Sequence, residues 1–260
     1  MKSKCNFKTL LACFFAVMFF SCDKDVNMHP VNPEDLQEGL VVHFPFDGNS
    51  IEAISNEEYD SHGAQYVEDR FGRPNSAISL DSNYLAADVK MQESTGTFSF
   101  WVKVDNLDNI HPIFSFGGTT IGLFLYRLAL DGDSITLLSD KRWGTLEDSN
   151  QLEDFVVPSA IELNKWKHVV IRWSDNEELI EIFVDRKKRL SANYINNWEL
   201  WDPIATETDA AAIVGGWMFE GGNHTGLRLR PFYGLIDDVR TYNRKLSDKE
   251  ITALFMNKGS

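Results

Sequence analysis

From Gly39 onward the chain is a succession of short apolar runs, each closed by a turn signal, a pattern that fits stacked sheets rather than helices. The segment Phe98-Ser99-Phe100-Trp101-Val102-Lys103-Val104 shows it most plainly. Successive side chains of an extended backbone point to opposite faces, so Phe98, Phe100, Val102 and Val104 share one face. Leu40 to Phe46 is closed by Asp47-Gly48-Asn49, and Ile113 to Phe116 by Gly117-Gly118. Ile121 to Leu130 ends in Asp131-Gly132-Asp133, which reads as a hairpin turn. Trp166 to Trp173, Leu179 to Val184, Ala211 to Val214 and Leu235 to Tyr242 complete the strand-rich body. Trp101, Trp166 and Trp173 belong to these strand patterns and are expected to be structural. One helix is expected. Ser247-Asp248-Lys249-Glu250 is a capping box, and Ile251, Leu254 and Phe255 follow on one face, which is expected to pack on a sheet edge. The expected fold is all-β: an antiparallel two-sheet sandwich with a short C-terminal helix. Seven Trp and 18 Phe suffice to fill its inter-sheet core.

The N-terminus points to export. Lys2, Lys4 and Lys8 precede the uncharged run Leu10 to Phe20, which falls short of the roughly 20 apolar residues a membrane-spanning helix needs. It reads as a secretory signal. The run ends in Phe19-Phe20-Ser21-Cys22, followed by Asp23-Lys24-Asp25. This resembles the lipobox of bacterial lipoproteins, in which the signal is cut before a cysteine that is then acylated. Phe19 and Phe20 are bulkier than the commonest lipobox allows, and looser versions of this kind resemble Bacteroidetes-type sequences. The competing reading is an ordinary cleaved signal and a soluble secreted protein. Cys5 and Cys13 would leave with the signal, so the mature domain would hold no thiol beyond lipid-bearing Cys22. The organisation is therefore read as residues 1–21 signal, 22–38 acylated cysteine and polar linker, and 39–260 one sandwich domain. The expected location is the cell envelope, at the outer membrane and exposed at the surface, held by the lipid anchor.

Several segments, in order, resemble the laminin-G-like jelly roll of the concanavalin A-like lectin/glucanase superfamily. Gly72-Arg73-Pro74-Asn75-Ser76-Ala77-Ile78-Ser79-Leu80 is similar to that family's G-x-x-G-x-A-L-x-F strand. Thr97 to Lys103, Trp166-Lys167-His168-Val169-Val170 and Ile182-Phe183-Val184-Asp185 match further family segments, with Arg186 in place of a usual glycine. Gly234 to Ser247 resembles the closing G-x-I-D-E-V-R-I-Y-N-R-A-L-S. The resemblance implies a jelly-roll sandwich and a structural calcium ion held by Asp47 and Asp237. The competing reading gives Asp47 only a turn and pairs Asp237 with an arginine such as Arg240. The family's second acid is replaced by Ile51-Glu52.

Sugar rings present flat C–H faces that stack on aromatics while polar groups fix the hydroxyls. Asn193 to Trp201 interleaves Tyr194, Trp198 and Trp201 with asparagines, and the glycine-rich Gly215 to Gly226 carries Trp217, Phe219, Asn223 and His224. Trp143 sits in the polar stretch Asp140 to Gly144. Trp143, Tyr194, Trp198, Trp201, Trp217, Asn223 and His224 are the candidate glycan contacts. The competing reading makes the aromatics caps on the sandwich ends.

The net charge of −14 argues against nucleic acid or anionic lipid as partners. The paired-carboxylate strand of the family's glucanases finds only Glu177-Glu178-Leu179-Ile180-Glu181, where Ile180 interrupts the pattern, so these acids are read as solvated. No H-E-x-x-H, G-x-S-x-G or phosphate loop occurs. The expected function is a membrane-tethered, non-catalytic carbohydrate-recognition module. The alternatives are a glycoside hydrolase or polysaccharide lyase on the same fold, and an adhesive surface protein.

Overall fold

The computed structural model describes residues 31–81, 83–87, 95–108, 110–118, 124–139, 155–193, 210–220 and 227–257. In chain order these form β1 (Leu40–Phe44), β2 (Ile51–Glu52), β3 (Glu57–Glu58), β4 (Gln65–Val67), β5 (Ala77–Ser79), β6 (Leu85–Ala87), β7 (Thr95–Lys103), β8 (Ile110–Gly118) and β9 (Phe124–Asp131). Then come β10 (Ser134–Ser139), β11 (Phe155–Val157), β12 (Lys167–Ser174), β13 (Leu179–Val184), β14 (Lys187–Asn193), β15 (Ala210–Val214), β16 (Gly216–Glu220), β17 (Leu227–Pro231), β18 (Leu235–Tyr242) and α1 (Asp248–Met256). Among the described residues no helix is long and apolar enough to cross a bilayer.

The larger sheet runs β14-β13-β12-β7-β18-β5-β4, with β1 also on β18; the second runs β11-β10-β9-β8-β15-β6. Among the described residues every strand pair is antiparallel, and Gly132-Asp133 closes the β9–β10 hairpin as the turn signal predicts. Phe98, Phe100, Val102 and Val104 all enter one apolar core with Phe114, Leu130 and Ile135 of the opposite sheet. The rings of Phe98 and Phe114 meet across the sandwich at 4.6 Å. Trp173 is buried in this core, and its partner across the ladder is Gly96, where a Cβ would come within 2.3 Å of the indole.

β7, β12 and β18 are buried on their outer face as well. The cover is a second apolar cluster of Leu36, Leu40, Val170, Phe183, Tyr242, Leu246, Ile251 and Leu254. The capping box forms as expected: Ser247 Oγ accepts from the N–H of Glu250 at 3.3 Å, and Glu250 Oε2 accepts from the N–H of Ser247 at 2.7 Å. The helix does not lie on a sheet edge, however. Phe255 stacks on Trp101 of central β7 at 5.4 Å, which takes apolar surface of both rings out of water. The folded body also begins before residue 39. Tyr242 donates to the carbonyl of Leu36 at 3.1 Å, and Arg244 donates to those of Asp35 and Glu38 at 2.8 Å.

Trp101 is buried, as expected. Trp166 lies just before β12 rather than on it, half-buried, with the Lys103 ammonium 5.7 Å over its ring. Glu177 and Glu178 are exposed, in keeping with the solvated reading. Glu181 is not: it is 3% exposed and paired with Arg172 and Lys188. Alternation turns it toward the outer face, where the cover over β12 and β13 excludes water.

Candidate functional site

Four neighbouring strands of the larger sheet, β5, β7, β12 and β18, reach one end of the sandwich together. Ser79 and Lys103 both lie opposite Leu235 in the ladders. A cavity of about 570 Å³ opens there. That is within the range of small-molecule clefts, roughly 300–1,000 Å³. Asp81 follows β5, Asp105 and Asn106 follow β7, Asn164 precedes β12, and Tyr233 precedes β18; all line it. The N–H of Asn164 donates to the carbonyl of Val104 at 2.7 Å, which ties the loop before β12 to the end of β7. Gly234 has φ +156°, and a Cβ there would lie 2.6 Å from the carbonyl oxygen of Lys103, so only glycine lets the backbones approach this closely. Tyr233 is 43% exposed. The cavity therefore combines an accessible aromatic ring with two side-chain amides, two carboxylates and one ammonium.

A second polar constellation lies under α1. A β-bulge in β18 separates Asp237, opposite Trp101, from Arg240, opposite Ser99, with Asp238 at φ +49°. The extra residue lets Ile236 and Val239 both enter the apolar core while Asp237 and Asp238 both find partners outside it. Asp237 is 1% exposed and accepts from Arg70 Nη1. Asp238 Oδ1 accepts from Arg240 Nε at 2.8 Å and lies 2.9 Å from His43 Nε2; Asp238 Oδ2 lies 3.5 Å from Arg70 Nη2. Burial pushes Asp237 up to about 7, with Asp238 and Asp69 adding to the effect and Arg70 opposing it. Burial also opposes ionisation of Asp238, but Arg240, His43 and Arg70 outweigh it and hold that carboxyl well below the usual range. His168, on β12, is wholly buried; desolvation lowers it to about 3 and keeps it neutral, with Ser99 Oγ at 2.9 Å from its Nε2.

Asp237 is thus paired with Arg70 rather than with Arg240. Asp47 stands exposed in its turn, where its carbonyl accepts from Asn49 Nδ2 at 3.3 Å. A calcium ion takes six to eight oxygens. Here the Asp237 carboxylate already carries a guanidinium, and among the described residues no three His, Cys, Asp or Glu side chains converge for a metal. The residues present do not fit that ion. Trp143, Tyr194, Trp198, Trp201, Asn223, His224 and Cys22 lie outside the described residues. Trp217 is on β16, opposite Arg230 of β17. The end cavity escapes sequence reasoning because its lining runs from Ser79 to Leu235; the one local signal is Tyr233-Gly234, an aromatic and a glycine between two strands.

A family model described as the concanavalin A-like lectin/glucanases superfamily matches residues 79–252. The chain belongs to this superfamily. Its fold is the jelly-roll sandwich expected from the sequence, and solved structures agree. Domain 4 of AbnA, a GH43 extracellular arabinanase from Geobacillus stearothermophilus, in complex with arabinotriose, superposes with TM-score 0.60 at 17% identity, over 83% of this chain and 98% of that one. The botulinum neurotoxin serotype D ligand binding domain in complex with N-acetylneuraminic acid gives 0.58 at 11% identity, over 85% of this chain and 51% of the other. The botulinum neurotoxin serotype D binding domain gives 0.56 at 13%, over 85% and 52%. The chain thus spans about half the length of these toxin chains. No curated protein matches it. At these identities the likeness establishes the fold.

Proposed function

We propose that the protein is a lipid-anchored surface module that binds a neutral saccharide in its end cavity without catalysing its turnover. The observation that carries the reading is the convergence of Tyr233, Asn106 and Asn164 on one open cavity. An exposed ring offers a stacking face, and amides donate to and accept from sugar hydroxyls. Asp81 and Asp105 outnumber Lys103 in the lining, which disfavours uronates and sialates. The superfamily and the arabinotriose complex of one similar structure are consistent with this class of ligand. The segments carrying Trp143, Tyr194, Trp198, Trp201, Asn223 and His224, together with Trp217 of β16, are proposed as a further contact surface for a longer chain.

The full-length protein, screened on a glycan array and then titrated against its best neutral oligosaccharide, tests this. Tyr233→Ala is expected to weaken binding at least ~10-fold, about 1.4 kcal/mol, while leaving the melting temperature nearly unchanged. Absence of binding to any glycan overturns the function; equal binding by the variant overturns the site. The two carboxylates of the cavity favour one second reading, a glycosidase using Asp81 and Asp105 as its acid and base. Polysaccharide hydrolysis abolished by Asp81→Asn or Asp105→Asn would decide for it. The anchor is checked by labelling cells with a radioactive fatty acid. Label is expected on the wild-type chain and absent from Cys22→Ala.

A further inference from the structure

Arg70 belongs to a loop whose conformation is fixed from within. The Asp69 carboxylate accepts from the N–H groups of Phe71 and Arg73, both at 2.8 Å, and from Arg73 Nε at 2.7 Å. The loop delivers the Arg70 guanidinium to a site 3% exposed, 4.6 Å from the Phe71 ring centroid and 4.7 Å from that of Trp101. There it donates to Asp237 and, at 3.2 Å, to the carbonyl of Asn257, the C-cap of α1. One side chain therefore joins the β4–β5 loop, the bulged strand β18 and the carbonyl end of the terminal helix, where a cation is favoured. Arg73, in the same loop, feels the fields of both Asp47 and Asp237.

The charges balance: Arg70 and Arg240 face Asp237 and Asp238. A divalent ion added at Asp237 would stand beside a buried guanidinium and leave uncompensated positive charge where little water can screen it. We propose that the Arg70 guanidinium is this domain's built-in cation, taking at Asp237 the place of the divalent metal expected there, so that the sandwich and its terminal helix hold together without calcium. This inference goes beyond the saccharide reading and does not depend on it.

The test is thermal unfolding of the full-length protein after treatment with a chelating resin, in millimolar calcium and in EDTA. The two melting temperatures are expected to agree within about 2 °C. Arg70→Gln strands Asp237 and is expected to lower the melting temperature by roughly 10 °C, and adding Asp237→Asn recovers at least half of that loss. A calcium-dependent rise in the wild-type protein that disappears in Asp237→Asn overturns the proposal. So does a double variant no more stable than Arg70→Gln. A calcium response that persists in Asp237→Asn shows that the domain draws on calcium elsewhere and also overturns the proposal. Should Arg70→Gln fail to fold, the calcium comparison between wild type and Asp237→Asn decides alone.

Discussion

On its inner face the large sheet presents Phe98, Phe100, Val102, Val169, Ile171, Trp173, Ile180, Ile182 and Val184, a surface with no charge. On their outer face the same strands present Thr97, Ser99, Trp101, His168, Arg172, Glu181 and Phe183, equally buried but largely polar. The inner face is held by area and fit, which are non-directional. The outer face is held by specific pairs. Thr97 Oγ1 donates to the Arg244 carbonyl at 2.8 Å and accepts from the N–H of Leu246 at 2.9 Å, and Arg172 donates to Glu181 Oε2 at 2.5 Å and to the Leu246 carbonyl at 2.6 Å. Both faces exclude water, yet a substitution costs different things on each: lost volume inside, a stranded partner outside.

Phe100→Ala on the inner face should cost the most, about 3–5 kcal/mol, because it leaves a cavity against Phe98 and the facing sheet. Chemical denaturation checks it; a loss under about 1 kcal/mol would mean that the core collapses into the gap. Arg172→Met on the outer face is expected to cost about 3 kcal/mol by leaving the Glu181 carboxylate short of a partner. The double variant Arg172→Met/Glu181→Leu should recover most of that loss, whereas a second inner-face truncation added to Phe100→Ala should only deepen the deficit. If the double variant is worse than Arg172→Met, the outer face is governed by packing, as the inner one is.

The smallest effect is one of pH. His168 is held neutral in the folded state, near 3 against an ordinary 6.5, chiefly by desolvation. Its contribution is therefore fully present above pH 6.5 and is lost as pH falls below it, at roughly 1 kcal/mol per pH unit, because the unfolded chain binds the proton first. Asp237, raised to about 7, acts with the opposite sign: its share of stability falls as pH rises from about 4 toward 7. The readable quantity is a difference. The melting temperature of His168→Gln, relative to wild type, should climb as pH falls from 7 to 5. A constant gap would show that the buried imidazole does not resist protonation.

The inner face was legible in the sequence because alternation at period two is local: Phe98, Phe100, Val102 and Val104 declare their shared face within one segment. The helix start was legible for the same reason, since Ser247 and Glu250 lie three residues apart. The outer face was not. Burial on both sides of β7, β12 and β18 makes exposed and covered polar residues look alike, so Glu181 reads as solvated although Arg172 and Lys188 hold it under cover. The end cavity was hidden because its lining is gathered from strand ends far apart in the chain.

What the residues determined by themselves is the all-β sandwich, its turns, the capped terminal helix and the superfamily, because each depends on side chains that are neighbours along the chain. What only the tertiary structure decided is which charges meet. Arg70 and Asp237 are 167 residues apart, and one bulge in β18 turns the second aspartate of Asp237-Asp238 outward. Strand pairing across the sheet, rather than any local pattern, fixes the partners that buried polar groups must find.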